Sequence, residues 1–280
     1  MKKTLSSIVL ASALLLGAIA PVTANAAETD TNTGLSGVTN STVNFTKPDS
    51  TTTPVDPTDP TKPVDPTDPD DPNGGTTPSG DLTFLYVSDS IAFGSKDDPI
   101  QSQTSGIQNV FNGSANGVDA DSNAKTANVA VTNNGINTNK TLLTEVSDTR
   151  GTNNGWVVSV GSSVLQGKDS SGQSIGNLEG AAFNLKGSTA SILNSGTGTT
   201  PVTSGITGED TNNTNENGTV GMAADGTTTH AIYTATKGNG AGATSMQLDP
   251  SNVVLSVPAN VKTGTYTGTL NWTLADTPVK

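Results

Sequence analysis

Gly264-Thr-Tyr-Thr-Gly-Thr-Leu-Asn-Trp-Thr-Leu274 decides the fold. Tyr266, Leu270, Trp272 and Leu274 hold even positions, while Thr265, Thr267, Thr269, Asn271 and Thr273 hold odd ones. Successive side chains of a strand point to opposite faces, so this period of two predicts a half-buried strand with one apolar, aromatic face and one polar face.

Runs of the same character recur upstream between turns of Gly, Asn, Ser and Thr. They predict strands near residues 82–87, 91–93, 128–131, 156–160, 182–185, 231–235, 253–257 and 265–274. Helical periodicity is nearly absent and strands do not alternate with helices, which favours an all-β antiparallel sandwich, with a barrel as second choice. Residues 113–123, 194–226 and 237–243 are rich in Gly, Thr, Asn and Ser and poor in large apolar residues, and are expected as long surface loops. With 4% aromatic and 31% hydrophobic residues the core is lean, and Thr, Gly, Asn, Ser and Val suit strands and turns better than long helices. The chain has no cysteine, so stability rests on burial and backbone hydrogen bonding.

At the other end, Lys2 and Lys3 precede an apolar or small run from Ile8 to Ile19, followed by Ala24-Asn25-Ala26. Residues 1–26 therefore read as a secretory signal peptide, cut before Ala27. The run is short for a bilayer, and nothing later approaches the ~20 apolar residues a membrane span needs. The mature chain is expected outside the cytoplasm. Losing Lys2 and Lys3 leaves 13 − 2 = 11 basic residues against 25 acidic ones, a net charge of −14. No basic patch exists to neutralise phosphates, which argues against nucleic acid. Contact with an anionic wall polymer would have to be local, aromatic and hydrogen-bonded, or assisted by a cation.

Residues 27–54 form a short polar segment whose strand-like stretch is Ser41-Thr-Val-Asn-Phe45. Two near-identical nine-residue units follow, Val55-Asp-Pro-Thr-Asp-Pro-Thr-Lys-Pro63 and Val64-Asp-Pro-Thr-Asp-Pro-Asp-Asp-Pro72. Proline at every third position fixes φ and removes donors, and the aspartates repel one another. Residues 55–79 are accordingly expected as a disordered, extended spacer without a core, ahead of the β domain at 80–280.

Catalytic chemistry has little to stand on. The one histidine, His230, lies in Thr227-Thr-Thr-His-Ala-Ile-Tyr233 and reads as a surface or edge histidine. Asp97 and Asp98 are adjacent in a loop, so they do not face a common sugar as glycosidase carboxylates must. Asp119-Ala-Asp121-Ser-Asn123 starts like an EF-hand, yet Ala124 replaces the turn glycine and Ala130 stands where the bidentate acid belongs. No catalytic residue, metal or cofactor is expected.

The tryptophans carry what remains. In Gly155-Trp-Val-Val-Ser-Val160, Trp156, Val158 and Val160 share one strand face, and Trp272 with Leu274 repeats the arrangement. Such residues serve as core anchors between two sheets, as an aromatic platform for a sugar ring, or as both.

These stretches resemble the WxL domain family of Gram-positive cell-surface proteins. The distal motif, Tyr266-x-x-x-Leu270-x-Trp272-x-Leu274 with Asp276-Thr-Pro278, agrees in full. Further likeness lies in Asp81-Leu-Thr-Phe-Leu-Tyr-Val-Ser-Asp89 with Phe93-Gly94, Asp148-Thr-Arg-Gly151 with Gly155-Trp156, and Leu255-Ser-Val-Pro258. The proximal motif departs from the pattern, because Val158 stands where the family has leucine. One methylene less at a packed site is expected to cost about 1 kcal/mol and to leave the fold intact. The resemblance implies a non-enzymatic anchor held non-covalently on peptidoglycan, with Trp156, Val158, Tyr266, Leu270, Trp272 and Leu274 as the binding candidates. It also implies partners among sister surface proteins or the host matrix. Ala275-Asp-Thr-Pro-Val-Lys280 carries no Leu-Pro-x-Thr-Gly sorting signal, in keeping with attachment by binding.

Overall fold

The computed structural model describes residues 39–49, 53–64, 80–112, 124–136, 139–208 and 220–276. The expected signal segment, the acidic stretch from Asp119 to Asn123 and the second repeat beyond Val64 lie outside them. The chain divides into a unit ending at Asn44, whose described residues are exposed and without regular structure, and a larger unit from Phe45. The strand-like Ser41-Thr-Val-Asn-Phe45 forms no strand: Val43 and Phe45 are 71% and 79% exposed. Two apolar side chains among polar neighbours bury too little surface to offset the entropy of ordering them.

The larger unit is all-β. Its strands begin with β1 (Val55–Asp56), β2 (Asp59–Pro63), β3 (Leu82–Val87), β4 (Ser90–Phe93) and β5 (Gln108–Phe111). There follow β6 (Ala124–Thr126), β7 (Val129–Thr132), β8 (Leu142–Asp148), β9 (Trp156–Ser162) and β10 (Gln166–Lys168). The middle of the chain supplies β11 (Ser174–Asn177), β12 (Ala182–Leu185), β13 (Ser191–Asn194), β14 (Ile206–Gly208) and β15 (Val220–Ala223). The last are β16 (Thr229–Ala235), β17 (Gly242–Leu248), β18 (Val253–Val257), β19 (Thr265–Thr267) and β20 (Leu270–Ala275). Among the described residues, helix is confined to two single 3₁₀ turns, at Gly187–Thr189 and Pro250–Asn252.

Three sheets, in the orders β15-β12-β18-β5-β6, β13-β17-β8-β3 and β14-β16-β9-β20, bury their faces in one hydrophobic core. Phe183, Leu185, Val253 and Leu255 come from the first, Leu142, Val146, Met246 and Leu248 from the second, and Trp156, Val158, Val160 and Ile232 from the third. This is the expected layered antiparallel architecture; the described pairings include one parallel pair, β5 with β6.

Some expected loops turn out to be core. Ile206 and Met222, within residues 194–226, are 4% and 0% exposed and carry β14 and β15 against the sheets. Ile206 stands among small polar residues and Met222 between glycine and alanine, so local composition hides their burial. The expected loop at 237–243 likewise runs into β17, where Ala243 is buried.

The terminal stretch is not one strand but two. β19 joins the sheet β11-β10-β19, while β20 pairs with β9. Between them the chain is pinned to Ser163, whose hydroxyl oxygen accepts the Thr269 N–H at 2.8 Å and whose own N–H donates to the Thr269 carbonyl at 2.9 Å. Gly268 lies so close to Leu165 and Ser163 that a Cβ there would fall 2.8 and 2.9 Å from them.

The first proline repeat also departs from expectation. Instead of extended spacer it forms the antiparallel hairpin β1–β2, closed by a hydrogen bond from Val64 N–H to the Pro54 carbonyl at 2.9 Å. Pro54, Val55, Pro57 and Pro60 are buried. Val55 packs with Leu85 and Ala243, and its N–H donates to the Glu145 carboxylate at 3.0 Å. The Pro57 carbonyl accepts from Ser245 Oγ at 2.8 Å and Gln247 Nε2 at 2.6 Å. The hairpin thus covers the face of β8 and β17 that points away from the main core, which is why all seven residues of β8 are buried.

Candidate functional site

The sheet β14-β16-β9-β20 brings the two tryptophan motifs side by side. β20 runs antiparallel to β9 with Trp272 opposite Val160 and Leu274 opposite Val158. On the other side of β9, Tyr233 of β16 stands opposite Val158 and Ala235 opposite Trp156. Trp156-Val-Val158 and Trp272-Thr-Leu274 are therefore neighbouring ladders, with their tryptophans displaced toward opposite ends of the pair.

The two motifs sit at different depths. Trp156 and Val158 are both 0% exposed. The Trp156 indole meets the Tyr233 ring edge-on, with centroids 5.2 Å apart and planes at 85°, and its Nε1–H donates to the Gly240 carbonyl at 3.0 Å. The Tyr233 hydroxyl accepts from Thr144 Oγ1 at 3.0 Å, and burial pushes its pKa well above the ordinary phenol range. This closeness requires glycine at two positions of positive φ. A Cβ on Gly240 would come 2.5 Å from Trp156 Nε1, and one on Gly155 would come 2.2 Å from the Ala235 carbonyl oxygen.

Arg150 fixes the chain just before Trp156. Its guanidinium forms a fork on Asp148, with Nε to Oδ1 at 2.9 Å and NH2 to Oδ2 at 2.8 Å, and NH2 also donates to the Gly155 carbonyl at 2.7 Å. Asp148 is 3% exposed, so this fork is a largely desolvated pair. The hydrogen bond to Asp148 raises the Arg150 pKa, and the charge keeps the turn from Asp148 to Gly155 closed.

Tyr266, Leu270, Trp272 and Leu274 are half-buried instead, each packed on the rim of the main core. Along β20 half-buried Leu270, Trp272 and Leu274 alternate with exposed Asn271, Thr273 and Ala275, the period of two that the sequence displays. Tyr266 sits in the neighbouring sheet, its hydroxyl donating to the Lys262 carbonyl at 3.0 Å. β20 is an edge strand: among the described residues its second edge pairs with no other strand.

Of the other candidates, His230 stands in this same sheet and Asp97 and Asp98 in a separate turn. His230 is partly buried on β16 opposite Val160. Asp97 and Asp98 are in an exposed turn where the Asp98 N–H donates to Ser95 Oγ. Glu145, which sequence reasoning did not single out, is the conspicuous ionisable group. It is 0% exposed, its Oε1 has no hydrogen-bond partner among the described residues, and burial pushes its pKa up to about 8. Its position in Leu142-Leu-Thr-Glu-Val146 gave no warning, because the residue that covers it, Val55, is distant in sequence.

No curated protein and no solved structure matches the chain. The sequence does match the family described as "WxL domain surface cell wall-binding", over residues 32–278. That match takes in the hairpin, both tryptophan motifs and the sheets that bury them, and the chain belongs to this WxL family of cell wall-binding surface domains.

Proposed function

We propose that this is a secreted protein that binds the Gram-positive wall non-covalently through peptidoglycan, without catalysis. The contact surface is the half-exposed row Tyr266, Leu270, Trp272 and Leu274, and buried Trp156 and Val158 hold that row in place. The observation that carries this reading is the terminal edge strand. It presents a tryptophan and two leucines at partial exposure beside a sheet edge that, among the described residues, pairs with no other strand, in a chain whose family binds the wall. Sugar rings pack their C–H faces on an indole, and edge N–H and C=O groups satisfy hydroxyls or peptide stems. Such contacts do not need a positive charge, which suits a mature chain of net charge −14.

A second reading is favoured by the same open edge. A strand of a sister surface protein or host matrix protein could add to β20 by main-chain pairing, making wall association indirect. High acidity suits a basic protein partner. Sedimentation of the mature chain with intact walls and with protein-stripped peptidoglycan separates the two. Equal retention supports direct binding, and retention on intact walls alone supports the second reading.

A further inference from the structure

The outer face of the sheet β13-β17-β8-β3 is covered by the hairpin β1–β2, away from the wall contact proposed on β20. It takes up the hairpin β1–β2 through two kinds of contact. The apolar ones bury Pro54, Val55, Pro57 and Pro60. The polar ones engage backbone only: the Val55 N–H on Glu145, and the Pro57 carbonyl on Ser245 and Gln247. Glu145 and Ser245 are both 0% exposed. Within the hairpin, Asp56 Oδ1 accepts the Thr58 N–H and hydroxyl at 2.8 and 2.7 Å, tightening the turn.

The residues that make these contacts on the hairpin side recur in the sequence nine residues later. Pro54-Val-Asp-Pro-Thr-Asp-Pro60 is repeated without change as Pro63-Val-Asp-Pro-Thr-Asp-Pro69. Every hairpin side chain that the sheet buries therefore has an identical counterpart in Pro63, Val64, Pro66 and Pro69. The substituted positions, Thr61 to Asp70 and Lys62 to Asp71, correspond to residues exposed on the hairpin. The four fully covered side chains, Pro54, Val55, Pro57 and Pro60, give the site no means of distinguishing the repeats.

We propose that this sheet face is a recognition site for an acidic, proline-rich Pro-Val-Asp-Pro-Thr-Asp-Pro peptide, filled by the first repeat and able to take the second, Val64–Pro72, in its place. The exchange moves nine residues from the covered side to the N-terminal side and gives the chain two tether lengths. The first repeat is preferred for local reasons. Lys62 Nζ bridges Asp59 Oδ2 at 2.7 Å and Asp59 Oδ1 accepts the Thr61 hydroxyl at 2.6 Å, whereas the second repeat places Asp71 and Asp70 there. In the present register Val64 also packs against Tyr86, Ile136 and Leu143.

Chain length permits the exchange. With Asn73 in the place of Val64, seven residue steps remain to Gly80, a reach of about 25 Å. Val64 lies against Tyr86, six residues beyond Gly80, or about 20 Å along a strand.

Hydrogen exchange on the full mature chain tests this. Val55→Lys puts a charge where the first repeat is buried and evicts it. Amides between Asp65 and Asp71 are then expected to exchange about tenfold more slowly than in the unmodified chain, and adding Val64→Lys abolishes the gain. A hairpin with only a structural role cannot raise protection elsewhere when it is broken. Unchanged or faster exchange over that segment in Val55→Lys, including the case in which the variant unfolds, overturns the proposal.

Discussion

Trp156 and Trp272 stand in one sheet and are held by different means. Trp156 has no exposed surface and gives its only polar hydrogen to the Gly240 carbonyl, whereas Trp272 is half-buried. Replacing Trp156 by phenylalanine removes that donor and leaves a buried carbonyl unsatisfied, a cost of about 1–3 kcal/mol before any packing loss. Urea unfolding should show this loss, with wall sedimentation of the still-folded protein unchanged. Glu145 sets a second residue-scale expectation. Its pKa is raised to about 8 because burial disfavours the charge, with the nearby Asp56 carboxylate acting in the same direction against the Val55 N–H. Between its ordinary pKa near 4.5 and about 8 the folded chain keeps a proton that the unfolded chain has lost, so this group's contribution to stability falls as pH rises through that window. Tm should therefore decline from pH 5 to pH 9, and Glu145→Gln should flatten the decline, since a neutral amide oxygen still accepts the Val55 N–H.

At the scale of elements, the break between β19 and β20 depends on Ser163. Ser163→Ala removes the acceptor of the Thr269 N–H, and faster exchange of that amide with a lowered Tm is expected. Alternation marks the strands whose two faces differ, as in β20 and β7, and β-rich apolar runs mark β9 and β18, which are buried on both faces. β8 and β17 escape both signals because both their faces are buried and much of what they bury is polar. Thr144 donates to Tyr233, Asn194 Nδ2 donates to Thr244 Oγ1 at 2.8 Å, and Ser245 donates to Pro57. Each partner lies at least fifty residues away, so a local window reads these residues as loop. The hairpin was hidden by the same cause. Asp-Pro-Thr repeats lack any core of their own, and only the distant Leu85, Ala243 and Glu145 supply one. Of the candidate site, the row on β20 was legible from its alternation. The depth of Trp156 was not, because it depends on Gly240 and Tyr233 closing over it.

For the whole molecule, a lean core is made sufficient by three sheets sharing one interior and by hydroxyl pairs filling positions that larger side chains would otherwise take. The strong acidity has a consequence for binding. If attachment to an anionic wall rests on the aromatic and hydrogen-bonding surface of β20, salt screens repulsion and removes no attraction. Sedimentation with purified peptidoglycan should then hold or rise between low and high salt. The most direct test compares the mature chain with Trp272→Ala in the same assay, after circular dichroism and thermal unfolding confirm that the variant is folded. The terminal edge strand as contact surface predicts that the folded variant stays in the supernatant while the unmodified chain pellets with the peptidoglycan; a folded Trp272→Ala protein that pellets as fully as the unmodified chain would contradict it.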